Sequence, residues 1–394
     1  MINSCKENRI RPLSILIMVY CALIPLENVL VASIGGSINK YIGLLIAGFI
    51  SLWIICKRDG IKIHIGEFKC VLAFAGLALI SFFWTLGDTG NSYHSMLFNI
   101  TIFTFIFIQY PLYEKERKMI YFGMIIVGVI LAVIMFSGGQ TVNVNDISGG
   151  RVTLVFGGLQ IDNNNLAVAL SIPLIASFGL ITGNIKKAVR LLCVGAAIVI
   201  LLAILLTGSR GGLLALIVGL TACVIKVNNG IKVRTIIVSA VLVLTLLIVM
   251  QYFLSEGIAS RFTLNSVISS GGTGRFLIWE HIIDAFKDSN IFRELFGYGY
   301  SMQARVLQNT WGFYTAAHND FLQVLLDLGV VGLIVYIRFW VKSISYAIRV
   351  NRYIELGLLF TLLFSSMSME ILVKKMLWLV IYLVFVPTKD IHRD

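Results

Sequence analysis

Apolar runs of membrane-crossing length recur from residue 13 to residue 388, near 13–33, 41–56, 71–86, 95–112, 119–137, 166–183, 189–206, 211–227, 235–254, 329–347, 354–371 and 376–388. A crossing needs roughly 20 apolar residues in an α-helix, because in hydrocarbon every backbone N–H and C=O must bond within its own segment. These runs predict twelve helices, the first interrupted by Pro25, Glu27 and Asn28 near its outer end. Composition agrees: of 394 residues 58% are hydrophobic and 13% charged, against ~25% charged in an ordinary soluble domain. The expected fold is all-α and polytopic, with a large outer loop that contains amphipathic helices. A large soluble domain, a disordered chain and a disulfide scaffold are excluded. The second run starts within ten residues of the first, so the first is expected to stay as an anchor and not to be cleaved as a signal peptide.

A formal net charge of +12 would suit nucleic-acid binding, but the basic residues track topology instead. With the N-terminus inside, seven inner segments hold 22 of the 32 Lys and Arg, including Arg11, Lys57, Lys118, Lys187, Arg234, Arg349 and Arg393. Short cytoplasmic loops retain such residues because they are not carried across. This predicts cytoplasmic termini and leaves nucleic acid without a role. The outer ten are Lys40, Arg151, Arg210, Arg261, Arg275, Lys287, Arg293, Arg305, Lys374 and Lys375. No cysteine falls in an outer loop and no CxxC or Cys/His metal spacing occurs, so neither a disulfide nor a zinc site is expected.

Two outer loops are substantial, 138–165 and 255–328. The first ends in Asp162-Asn163-Asn164-Asn165, whose plainest reading is the cap of the next helix. In the second, Gly271-Gly272-Thr273-Gly274 leads into a helix expected from Arg275 to about Lys287, with Phe276, Trp279, Ile283 and Phe286 on one stripe suited to the outer leaflet. Arg210 lies in Thr207-Gly208-Ser209-Arg210-Gly211-Gly212, a turn between two strongly apolar runs. A charge at that depth is costly and usually functional, snorkelling being the alternative. A planar guanidinium is also the better bidentate grip on phosphate. After the loop, His318-Asn319 opens a short helix in which Asp320, Gln323 and Asp327 interrupt an otherwise apolar side, and Gly329 is expected to let the chain turn into the membrane. That places His318 outside, where a near-neutral pKa suits proton transfer.

Ser209-Arg210-Gly211 opening a helix, Thr273-Gly274-Arg275 with Trp279, Leu295-Phe296-Gly297-Tyr298-Gly299, and His318-Asn319 followed by Gly329 and Gly332 occur in this order. In these residues, over roughly 160–370, the chain resembles the O-antigen ligase and O-antigen polymerase superfamily of polytopic bacterial glycosyltransferases. It departs at Asp162-Asn163-Asn164, where that family often has Asp-Pro-Asn.

The resemblance implies a membrane-embedded glycosyltransferase fold of GT-C-like type in the bacterial cytoplasmic membrane. It implies a glycan donor linked to undecaprenyl pyrophosphate, an acceptor glycan on lipid A core or on a growing polysaccharide, and a site on the outer face among membrane lipids. Arg210, Arg275 and His318 match the family's catalytic residues, with Arg210, Arg275 and Asn319 binding substrate. Two guanidinium groups can stabilise a leaving pyrophosphate without a metal, and no Asp-x-Asp occurs, so no metal or cofactor is expected. Glu280, Asp284 and Asp288 at i, i+4, i+8 read as a solvated helix face. The expected division is 1–165 for the N-terminal helices and first outer loop, 166–371 for the ligase-like catalytic region including 255–328, and 372–394 for the last helix and cytoplasmic tail. A polytopic transporter or glycan flippase is the alternative. Against it, Glu27, Glu355 and Glu370 lie toward helix ends, only Arg338 falls mid-run, and no internal repeat is visible.

Overall fold

A computed structural model describes residues 10–56, 63–85, 92–142, 151–156, 158–227 and 274–389. The apolar run at 235–254 and Gly271-Gly272-Thr273 lie outside the described residues. α1 (Pro12–Leu23) passes through a 3-10 turn at Ile24–Leu26 into α2 (Glu27–Ile34). Pro25 sits in that turn, where its missing N–H breaks the α-helical ladder at the place the sequence marks. Then follow α3 (Ile38–Ile55), α4 (Lys69–Ile80), α5 (Ser92–Phe107) and α6 (Glu114–Gly138). Two antiparallel ribbons come next, β1 (Gln140–Val142) with β2 (Arg151–Thr153) and β3 (Val155–Phe156) with β4 (Leu159–Gln160). No apolar alternation marks these ribbons between α6 and the helix that follows them. The helices resume as α7 (Asn163–Thr182), α8 (Lys187–Leu206) and α9 (Arg210–Val227). Beyond the large loop lie α10 (Arg275–Lys287), α11 (Ile291–Phe296), α12 (Gln303–Trp311), α13 (Asp320–Arg349), α14 (Tyr353–Ser366) and α15 (Lys375–Phe385).

Among the described residues, seven helical segments are long and apolar enough to cross a membrane: Pro12–Ile34, Ile38–Ile55, Gly66–Trp84, Glu114–Gly138, Asn163–Thr182, Lys187–Leu206 and Asp320–Arg349. Three shorter apolar helices, His94–Phe107, Tyr353–Ser366 and Lys375–Phe385, pack among them. The most deeply placed are α7, whose spanning window is 78% buried, and α15, buried at every residue from Met376 to Phe385. Both read as apolar all round, as central helices must. Away from the site end, Arg117 pairs with Glu355, which also accepts a bond from the Tyr121 hydroxyl at 2.6 Å. Arg352 donates to the carbonyls of Leu383 at 2.7 Å and Val386 at 2.6 Å, satisfying the C-terminal carbonyls of α15.

The helices between residues 274 and 312 form their own small core. Ile282 and Ala285 of α10 pack with Met302, Val306 and Leu307 of the next segment, Ala317, and Leu326 of α13. The face of α10 that packs inward is Ile278, Ile282, Ala285 and Phe286, while of the stripe expected on the outer leaflet Phe276 is 60% and Ile283 38% exposed. The buried face is chosen by α12 and α13 against it, which lie later in the chain. Glu280, Asp284 and Asp288 are exposed, the solvated face that their spacing suggests.

α13 has a sharp break. Gly329 has φ 67° and ψ −167°, so Asp320–Leu328 is a separate short helix and the chain turns there into the long apolar segment. The Leu295–Gly299 motif explains the turn. Tyr298 N donates to Leu326 O at 3.1 Å and Gly299 N to Asp327 O at 2.7 Å. A Cβ on Gly297 would lie 2.3 Å from the Asp327 backbone, and one on Gly329 would lie 2.4 Å from that of Leu295. The two glycines let two backbones cross at a distance no side chain permits.

Candidate functional site

The site is assembled at one end of the bundle from four chain segments. The first is the β1–β2 ribbon and the start of α7. Asp162 is the N-cap of α7, its carboxylate accepting from Asn165 N at 2.9 Å, the capping role that its sequence position suggests. Asn163, the first residue of the helix, donates from its amide to Val152 O at 3.0 Å and Thr207 O at 2.9 Å. A proline there would lose nothing in the helix, because the first N–H has no intrahelical partner. The asparagine adds two bonds that join ribbon, helix and the turn before α9. Asn164 Oδ1 accepts from Ser209 Oγ at 2.7 Å, and Ser209 Oγ accepts from Gly212 N at 3.1 Å, capping α9. The Asp162–Asn164 segment is therefore the clamp that sets the position of Arg210, the first residue of α9.

The segment from Gly274 to Asn319 brings the other residues in. Gly274, with φ 80°, turns the chain into α10, and Arg275 is its first residue. One turn later the Trp279 indole donates to Ala317 O at 2.9 Å, fixing α10 to the residue just before His318. His318 has φ 49°, a left-handed backbone that a non-glycine residue adopts at a cost of about 1–3 kcal/mol and that clusters at functional sites. Its neighbours hold it there. Asn319 caps the following helix, accepting from Phe321 N at 2.9 Å and Leu322 N at 3.2 Å. Asp320 is fully buried and accepts from Tyr336 OH, Ile371 N and Leu372 N, each at 3.1 Å. Asp327, also fully buried, accepts from Ser301 N at 2.7 Å and Gln303 N at 2.6 Å. The polar residues that interrupt the apolar side of this helix are thus buried anchors for two loops. Asn319 is occupied as a cap, so its side chain faces its own helix backbone.

Arg275 and His318 interact electrostatically, and Asp162 acts on Arg275, His318 and Arg151. Arg151 in turn feels both Arg210 and Arg275. The structure thus brings together Arg210, Arg275 and His318, and adds Arg151, Asp162 and Lys374. Arg151 and Lys374 stood in the outer basic set, but nothing local in the sequence separates them from Arg293, which is spent on structure, donating to Trp84 O at 2.8 Å. Arg151 donates to Gly208 O at 3.4 Å, and its Nε–H is buried with no partner among the described residues. Three guanidinium groups, two of which feel Asp162, leave a positive excess near the starts of α7, α9 and α10, an arrangement suited to a multiply charged anion. Burial pulls the Arg275 and Arg151 pKa values down from the ordinary range, partly opposed by Asp162, yet an arginine stays cationic at neutral pH. Among the described residues no three His, Cys, Asp or Glu side chains converge on a point where a metal could sit.

His318 is exposed at the rim, but the surrounding protein desolvates it. That burial first, then the positive charges of Arg275 and Lys374, hold its pKa below the ordinary 6.5, against the opposing charge of Asp162. Both effects disfavour the imidazolium, so at pH 7 the ring is neutral and able to accept a proton. If a neutral His318 is required, activity is expected to be level near pH 7 and to fall in acid with a limb below 6.5. A limb above 7, measured on kcat/KM, would contradict this environment.

No curated protein sequence matches this chain. A chain in the solved structure described as "Structural coordination of polymerization and crosslinking by a peptidoglycan synthase complex" superposes with a TM-score of 0.50, over 84% of this chain and 99% of that one, at 13% identity. At that identity the likeness is one of fold. Residues 195–337, the segment that holds Arg210, Arg275, Trp279, the Leu295–Gly299 motif, His318 and Gly329, match the family model described as O-antigen ligase.

Proposed function

We propose that the chain transfers a glycan from an undecaprenyl-pyrophosphate carrier to a hydroxyl of an acceptor glycan, on the outer face of the cytoplasmic membrane. The observation that carries this reading is the convergence of Arg151, Arg210 and Arg275 beside a His318 kept neutral by its surroundings. Breaking an anomeric C–O bond to pyrophosphate sends the electron pair onto the leaving oxygens. Guanidinium groups fixed before the reaction stabilise that charge without reorganising. The acceptor oxygen forms the new bond to the anomeric carbon and gives its proton to His318. The proton can later leave to water or to the released pyrophosphate. Asp162 balances part of the repulsion between Arg151 and Arg275. The same chemistry serves a lipid A core acceptor in ligation and a growing chain in repeat-unit polymerisation.

Because arginines supply the positive charge, transfer is expected to proceed without a divalent ion. Purified protein in liposomes, given a lipid-pyrophosphate-linked oligosaccharide and an acceptor glycan, should form product at an unchanged rate in EDTA. Abolition by EDTA and rescue by magnesium or manganese would overturn the arginine mechanism.

A further inference from the structure

Away from the arginine cluster, but at the same end of the bundle, α3 and α5 flank a groove of about 290 Å³ whose lining includes Asn39, Lys40, Met96, Ile100, Phe103 and Lys375. Its polarity is graded along the helix axes. Ser37, Asn39 and Lys40 sit at the start of α3, and Lys375 is the first residue of α15. Gly43 lies one turn further along α3, and Ile100 and Phe103 lie deeper along α5. Lys40, Ser95, Met96 and Asn99 are exposed, so the groove opens sideways, where a helix bundle meets lipid.

The mouth is an ordered polar site. Glu27 accepts from Ser37 Oγ and Asn39 Nδ2, each at 2.6 Å, and pairs with Lys375. Lys375 also donates to Ser37 Oγ at 2.5 Å. With Lys375 paired to Glu27, the exposed Lys40 leaves the mouth net positive. Asn39 is 1% exposed, and its Oδ1 has no hydrogen-bond partner among the described residues. A buried acceptor without a donor is costly unless something fills the position. The groove therefore offers an apolar channel, a cationic mouth and one buried acceptor that asks for a hydroxyl or ammonium donor.

We propose that this groove holds one anionic glycerophospholipid of the surrounding bilayer. An acyl chain lies against Met96, Ile100 and Phe103, the phosphate sits between Lys40 and Lys375, and a headgroup hydroxyl donates to Asn39 Oδ1. A polyprenyl phosphate matches less well, since its ionised headgroup carries no donor for Asn39. The lipid sits beside the candidate site, because Lys374, the residue before Lys375, is within electrostatic reach of His318.

The test needs no glycan transfer and so stands apart from the proposed activity. Delipidated full-length protein is titrated by native mass spectrometry with phosphatidylglycerol, phosphatidylcholine and undecaprenyl phosphate. One phosphatidylglycerol should bind at concentrations where phosphatidylcholine does not. Lys40→Glu, an exposed change that leaves the fold intact, should weaken it by about fivefold or more, the effect of a lysine at an anionic surface. Met96→Trp, which fills the channel, should reduce it to the phosphatidylcholine level. Equal binding of the two phospholipids, wild-type binding in both variants, or displacement of phosphatidylglycerol by equimolar undecaprenyl phosphate would overturn the proposal.

Discussion

Arg210→Lys and Arg275→Lys are each expected to lower glycan transfer roughly 10²-fold although the charge is kept, because a lysine cannot reproduce the planar two-pronged grip on pyrophosphate oxygens. His318→Ala should cost roughly 10²–10⁴ in rate, the usual contribution of a positioned general base. Arg151→Lys should behave like the other two arginines if its buried, unpartnered N–H faces the donor. Two neighbours serve as controls. His281 stacks on Trp311 with ring centroids 4.3 Å apart, so His281→Ala should loosen the outer helices a little and leave the transfer rate nearly unchanged. Arg293 serves the backbone of Trp84 and Gly297, so Arg293→Lys should affect stability more than chemistry. Wild-type transfer in the arginine-to-lysine variants would mean that these side chains meet lipid headgroups and not the donor.

The largest structural effect is expected at the crossing of the two glycine turns. In Gly329→Ala the new methyl would sit 2.4 Å from the Leu295 carbonyl carbon and oxygen, at φ 67° and ψ −167°. This backbone region is essentially confined to glycine and costs other residues about 1–3 kcal/mol. The overlap with main-chain atoms adds about 1–3 kcal/mol more, since no side chain can swing away. The sum is a large part of the roughly 5–15 kcal/mol that holds a typical domain folded. Gly329→Ala should therefore lose the fixed position of His318, and Gly297→Ala, which meets the Asp327 backbone from the other side, should have the same effect. The readouts are thermal melting in detergent and protease resistance of the outer helices. Near wild-type melting of both variants would contradict the crossing described here.

Much of this site could be read from the sequence where its signals are local. The start of α9 at Arg210, the extent of α10, the Asp162 cap and the turn at Gly329 all rest on residues within a few positions of the feature. What could not be read depends on distant segments meeting. Arg151 reaches the site through a ribbon that no apolar period announces, and its partner Gly208 lies 57 residues away. Asp320 and Asp327 looked like interruptions of an apolar face, because a period shows which side a residue takes but not which loop will present N–H groups to it. The face of α10 that packs on protein was not legible for a related reason, since both of its sides carry apolar residues and only the later α12 and α13 decide which is covered. The run at 235–254, on which the parity of crossings also depends, lies outside the described residues.

The central claim is that the arginines hold the donor's pyrophosphate while His318 acts on the acceptor. The most direct measurement follows one radiolabelled lipid-pyrophosphate glycan through two readouts, donor retained on purified protein and glycan transferred to acceptor, for wild type, Arg275→Lys and His318→Ala side by side. Retention near the wild-type level with transfer lost in His318→Ala, and retention itself weakened in Arg275→Lys, is the expected split. If His318→Ala loses the donor while Arg275→Lys keeps both retention and transfer, the roles assigned to this site are wrong.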